Sequence, residues 1–157
     1  MRVVLDTNVL VSAIIGPRGI PSQILHAWRA EQFDLVLSQA TLTEIGRVFR
    51  YPKIAKYHRW SEERLQAFLD DLAHMAIITP GTLTLVVITE DPPDDRYLEC
   101  AVEGDAAYLV SGDQHLLKLG SYQDISILTP RAFREILQRQ TMPSHEASQS
   151  QTPEKFR

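Results

Sequence analysis

Asp6, Glu44, Asp94 or Asp95, and Asp113 are carboxylates that stand just past apolar stretches of the chain, and if they meet they share one chemistry. Carboxylates pushed together repel, and some stay protonated unless a cation joins them. Hard divalent ions answer that: Mg²⁺ and Mn²⁺ prefer oxygen ligands and keep waters for a substrate. Four formal negative charges match two divalent cations. Zinc is not expected, because His26, His58, His74, His115 and His145 are scattered without zinc spacing. The chain has no Walker loop, no G-x-G-x-x-G after a strand and no G-x-S-x-G elbow.

The segments that must position these acids alternate between strand and helix. Val3-Val4-Leu5 reads as a short buried strand that surfaces at Asp6, and Val9 to Ile15 as a helix stopped by Gly16-Pro17. Pro21 opens a second helix with Ile24, Leu25 and Trp28 on one face. Residues 33–38 read as the second strand. The helix after it carries Leu42, Ile45, Val48 and Phe49, holds Glu44 in its first turns and breaks at Pro52. A further helix runs from Ser61, with Glu62 and Glu63 suited to its N-terminus. Residues 76–78 and 83–88 are both β-like around a Pro80-Gly81 turn, and one or both form the third strand. An acidic, proline-stiffened loop, 89–95, leads to a helix with Tyr97, Leu98, Ala101 and Val102 inward. Residues 107–111 are the fourth strand, His115 to Leu119 a short helix and 125–128 the fifth strand. Pro130 starts the last helix, and 141–157 is polar and patternless, read as a disordered tail after a single domain over 1–140. This alternation implies an α/β fold with a mainly parallel sheet and helices on both faces.

In an open parallel sheet, ligands bind beyond the carboxyl ends of the strands. Asp6 follows strand one, Glu44 strand two, Asp94 and Asp95 strand three, and Asp113 strand four, so all fall on one rim. Each also has a local reading. Asp6 could cap the next helix. Glu44 fits a capping box with Thr41. Asp94 or Asp95 could be an N-cap, and Asp94 could cap while Asp95 faces the site. Asp113 could be a turn residue. One site explains the convergence once; local roles need four coincidences.

Composition bounds the rest. The 157 residues suit one domain with a real core, and 44% hydrophobic with 23% charged residues is ordinary for a soluble globular chain. The formal net charge of −4 argues against non-specific nucleic-acid binding by the whole surface. Cys100 is the only cysteine, which rules out an internal disulfide and points to a reducing cytoplasm; it reads as a small buried helix residue. There is no signal-peptide pattern and no apolar run long enough for a bilayer, so no membrane partner is expected.

Asp6-Thr7-Asn8 after a starting strand, Glu44 early in a helix, Asp95-Arg96-Tyr97-Leu98-Glu99-Cys100-Ala101, and Ser111-Gly112-Asp113, in that order, resemble the PIN-domain nucleases, in particular the PIN toxins of bacterial and archaeal toxin–antitoxin pairs. The resemblance covers roughly residues 1–138. It implies a metal-dependent ribonuclease on a three-layer α/β/α fold with a five-stranded, mainly parallel sheet of order 3-2-1-4-5. Asp6, Glu44, Asp95 and Asp113 would then be the catalytic metal site, with Asn8 and Ser111 as polar supports. It also implies Mg²⁺ or Mn²⁺, inhibition by an antitoxin protein, and a homodimer or higher oligomer. One departure stands out. Many relatives carry a further acid shortly after the last Asp, and here Gln114 and His115 stand there. One tight ion site with a second completed by substrate would accommodate that. The chemistry expected is a metal-bound water attacking phosphorus, with Glu44 or Asp95 orienting it or taking its proton.

On the substrate side, Arg47, Arg50, Lys53, Lys56 and Arg59 recur every third residue, interleaved with Phe49, Tyr51, Tyr57 and Trp60 and free of acids. Such a strip could grip single-stranded RNA, or an acidic antitoxin segment, or be only a solvated face over ordinary core aromatics. Three rivals remain. A haloacid dehalogenase-type phosphatase needs a second Asp two residues after the first, where Asn8 stands. A receiver domain needs an acidic pair near strand one and a lysine after the last strand, and neither is present. The third is a PIN-like domain that binds RNA or a partner without cutting.

Overall fold

The computed structural model describes residues 1–89 and 94–141. Its elements run β1 (Arg2–Leu5), α1 (Thr7–Ile15), α2 (Ile20–Arg29), β2 (Asp34–Leu37), α3 (Gln39–Phe49), α4 (Pro52–His58), α5 (Glu62–Met75), β3 (Ile77–Ile78), α6 (Asp95–Glu103), β4 (Tyr108–Val110), α7 (Gln114–Leu119), β5 (Ser121–Tyr122), β6 (Ile125–Leu128) and α8 (Pro130–Thr141). The sheet order is β3-β2-β1-β4-β6-β5, all neighbours parallel except the β5–β6 hairpin. The first five positions reproduce the expected 3-2-1-4-5 order. The sixth strand, two residues at the edge, is the addition: Gly120 turns the chain in the left-handed region (φ 75°) and sends Ser121–Tyr122 back along β6. The expected polar tail lies outside the described residues beyond Thr141.

Past the exposed first residues Arg2 and Asp34, the central strands are apolar because both faces of the sheet are covered. Val3, Leu5, Leu35 and Leu37 face one core, shared with α1, α2, α3, α5 and Phe133 of α8. Val4, Val36 and Leu109 face the other, shared with Leu98 and Ala101 of α6 and Leu116 of α7. Gly104, which caps α6, lies close against the sheet: a Cβ there would lie 2.3 Å from Val36 Cγ1.

Of the two β-like segments after α5, only Ile77–Ile78 joins the sheet, beside β2. Residues 83–88 keep the strand's alternation, with Leu85 and Val87 packed inward and Val86 exposed. Their amides, however, bond to side chains instead of a neighbouring strand. Leu83 N–H donates to Glu103, Leu85 N–H to Glu99, and Val87 N–H to Asp95. The periods match: four residues of helix rise about 6 Å, and two residues of extended chain about 6.6 Å. One acidic stripe on α6 thus ties down a passing segment without a sheet.

α4 was not anticipated. The chain breaks at Pro52 as expected, but Pro52 then starts a seven-residue helix, closed by Arg59 in the left-handed region. Phe49 and Trp60, stacked 5.9 Å apart, fold back under it with Phe68.

Candidate metal centre

β1 and β4 are parallel neighbours in the register Leu5↔Val110, so the next step along both strands sets Asp6 beside Ser111. Ser111, fully buried, donates its hydroxyl to Asp6 Oδ2 at 2.6 Å. The same Ser111 oxygen accepts the Asp113 amide at 2.9 Å. One side chain therefore links the acids of two strands. Asp6 also keeps its local role as the cap of α1, accepting Asn8 N–H at 3.3 Å. Asp113 likewise caps α7, accepting the amides of His115 at 2.8 Å and Leu116 at 3.4 Å. Capping and facing the cleft are not alternatives for these two residues.

Glu44 is freed from the capping role its neighbourhood suggested. The box at the start of α3 is made by Ser38 and Thr41: Ser38 Oγ accepts Thr41 N–H at 3.1 Å, and Thr41 Oγ1 accepts Ser38 N–H at 2.9 Å. Helix α3 starts earlier than Thr41, which puts Glu44 in its second turn. There Glu44 Oε2 accepts the Tyr97 hydroxyl at 2.6 Å, and Arg47 lies 3.6 Å from Oε1. Because Tyr97 gives its proton to Glu44, Thr7 Oγ1, 2.7 Å away, donates to Tyr97 in turn. A buried line Thr7–Tyr97–Glu44 fixes the carboxylate.

Asp6, Thr7, Asn8, Glu44, Asp94, Tyr97 and Asp113 line one cleft of about 190 Å³. The acid of α6 that lines it is Asp94; Asp95, the expected member, does not. Asp95 is buried on the flank of α6, where Oδ1 accepts Ile88 N–H at 2.9 Å and Val87 N–H at 3.2 Å. Helical phase explains the choice. Asp94, Leu98 and Ala101 are spaced i, i+4, i+7 and share the face that packs on the sheet, whereas Asp95, Glu99 and Glu103 share the flank. That spacing was readable, and it is the signal that would have found Asp94. Tyr97 was also missed, having been read as an ordinary inward residue.

The electrostatics fit a cation. Burial raises the pKa of Asp6 above the ordinary carboxylate value, Asp113 and Glu44 add repulsion in the same direction, and the Ser111 and Asn8 hydrogen bonds oppose both. Tyr97 is raised too, by burial first and then by the Asp6 charge, so it stays a neutral donor. Asp94, Asp113 and His115 can each offer one ligand atom, all within 4.8 Å of one another. An oxygen-rich donor set with uncompensated repulsion suits a hard divalent ion.

Outside the cleft, Cys100 is buried, its thiol pushed up to about 12 by desolvation, which leaves it no role as a nucleophile. The basic strip divides. Phe49 and Trp60 belong to the core, and Arg50 is taken up by Glu62 at 2.6 Å. Lys53, Lys56 and Arg59 remain exposed around Tyr51 and Tyr57. Among the described residues no helix is long and apolar enough to cross a membrane.

Comparison with known proteins agrees with this architecture. A family model described as PIN domain matches residues 2–115. The uncharacterized protein MJ1680 of Methanocaldococcus jannaschii is 34% identical over 144 residues, covering 86% of this chain and 90% of that one. The crystal structure of VapBC2 from Rickettsia felis, bound to a DNA fragment from their promoter, superposes with a TM-score of 0.53 at 18% identity, covering 82% of this chain and 98% of that one.

Proposed function

The chain belongs to the PIN-domain family, and from that premise we propose that it is a divalent-metal-dependent ribonuclease, the toxin of a toxin–antitoxin pair. The observation that carries the reading is the convergence of Asp6, Glu44, Asp94 and Asp113 on one cleft at the carboxyl end of β1 and β4. PIN domains are generally nucleases, and the acids are the right donors for Mg²⁺ or Mn²⁺.

Asp6, Asp94 and Asp113 would hold the ion, with Ser111 fixing Asp6 and setting Asp113. When bound, such an ion lowers the pKa of a coordinated water and polarises a phosphodiester. Glu44, held at Oε2 by Tyr97, would orient the attacking water. Asn8, exposed at the mouth of the cleft, would meet the phosphate. Lys53, Lys56 and Arg59 would steer RNA, or meet an acidic antitoxin segment in its place. An antitoxin partner is in keeping with the VapBC2 complex that shares the fold. Self-association and a cytoplasmic location complete the proposal.

The test is cleavage of a labelled single-stranded RNA with Mg²⁺ or Mn²⁺. Cleavage should stop with EDTA and fall at least about 100-fold in Asp6→Asn. Cleavage that ignores both changes would refute the mechanism. RNA binding without cleavage would leave a binding module, and turnover of a chromogenic phosphate monoester with RNA left intact would indicate a phosphatase.

A further inference from the structure

His115 sits in the first turn of α7, two residues after the cap residue Asp113. Its Nδ1 lies 3.7 Å from Asp113 Oδ1, and a ring nitrogen of His115, a carboxylate oxygen of Asp113 and one of Asp94 fall within 4.8 Å of one another. Ligands sharing one ion at about 2.1 Å lie at most about 4.2 Å apart. Closing the set therefore takes a shortening of roughly 0.6 Å between ligand atoms, and 43% of the His115 side chain is exposed. Asp94 and Asp113 line the same cleft as Asp6, whereas His115 lines a separate hollow with Val87, Ile88, Lys118 and Leu119 and reaches the acids from that side.

We propose that His115 is a ligand of this centre, with Asp94 and Asp113, and that its nitrogen biases the centre towards first-row transition ions over Mg²⁺. The inference rests on the metal-centre reading above. It adds a donor that changes selectivity, since Mg²⁺ takes oxygen ligands while imidazole suits transition ions. The backbone does not oppose the arrangement. Asp113 holds the His115 amide at 2.8 Å, which keeps the imidazole on the same turn as the carboxylate.

The experiment is titration of the full chain with MnCl₂, read by Mn²⁺ electron paramagnetic resonance and by spin-echo modulation from directly bonded ¹⁴N, with MgCl₂ as competitor. Wild type should bind Mn²⁺ with ¹⁴N coupling. His115→Gln should lose that coupling and bind Mn²⁺ about tenfold more weakly, with Mg²⁺ affinity little changed. His115→Asp should keep Mn²⁺ without ¹⁴N coupling and take Mg²⁺ more tightly. ¹⁴N coupling that survives His115→Gln would assign another histidine and overturn the proposal. Mn²⁺ bound without ¹⁴N coupling in wild type but lost in Asp113→Asn would overturn the role of His115 and leave the acidic centre standing. No Mn²⁺ binding to wild type would overturn both.

Discussion

Asp94→Asn and Asp95→Asn, one residue apart, are expected to fail in opposite ways. Asp95 is buried and accepts the amides of Val87 and Ile88 through both oxygens. An asparagine there can keep its carbonyl on Ile88 N–H at 2.9 Å and Val87 N–H at 3.2 Å, but the charge is lost and its NH₂ faces Val87 N–H where Oδ2 accepted at 3.3 Å. Hydrogen bonds to a charged group contribute about 1.5–3 kcal/mol each. At roughly 2–4 °C per kcal/mol for a chain of this size, Asp95→Asn should lower the Tm by about 3–12 °C. Metal affinity should stay near wild type. Asp94→Asn leaves the Val87 and Ile88 bonds in place and removes a charge from the cleft. Its Mn²⁺ affinity should fall at least about tenfold, or about 1.4 kcal/mol. Thermal denaturation and calorimetric Mn²⁺ titration of both variants give the two readouts. The reasoning fails if Asp95→Asn abolishes Mn²⁺ binding at an unchanged Tm, or if Asp94→Asn binds Mn²⁺ as wild type does.

Three further outcomes follow from the same geometry. The pKa of Asp6 is raised in the folded state, so protonating it stabilises the fold; that stabilisation is complete below the unfolded value and lost as pH rises through the folded one. Asp6→Asn should therefore raise the Tm of the metal-free protein at neutral pH, and the gain should shrink with acidification; a gain that grows towards acid would contradict the assignment. Tyr97→Phe removes the donor to Glu44 and the acceptor for Thr7, and should cost about 2–4 kcal/mol in denaturant unfolding while slowing RNA cleavage; unchanged stability would show that the hydroxyl does not hold Glu44. Replacing Lys53, Lys56 and Arg59 together by glutamine should flatten the salt dependence of RNA binding by up to about 2 in log–log slope, at about 0.7 per phosphate contact; an unaltered slope would reduce the strip to a solvated face.

The parts of the fold legible in sequence were those written in apolar periodicity. β1, β2, β4 and β6 are short apolar runs, and their carboxyl ends put Asp6, Glu44 and Asp113 on one side of the sheet. What was not legible depended on competition between equal local signals. Residues 83–88 have a strand's alternation, but their partner is the side-chain stripe of α6, which a search for strands does not see. Glu44 fitted one capping box while Ser38 and Thr41, three residues earlier, made the real one. Asp94 and Asp95 are chemically identical, and only the phase of Leu98 and Ala101 tells which faces the sheet. The edge strand Ser121–Tyr122 is two residues long, too short to have a pattern.

The central claim is that the cleft between β1, β4 and α6 holds a divalent ion, and anomalous diffraction from crystals grown with MnCl₂ tests it most directly. The account predicts a manganese peak in direct contact with Asp6, Asp94 and Asp113, with none beside Asp95. Fully occupied manganese elsewhere on the molecule, with this cleft holding none, would contradict it.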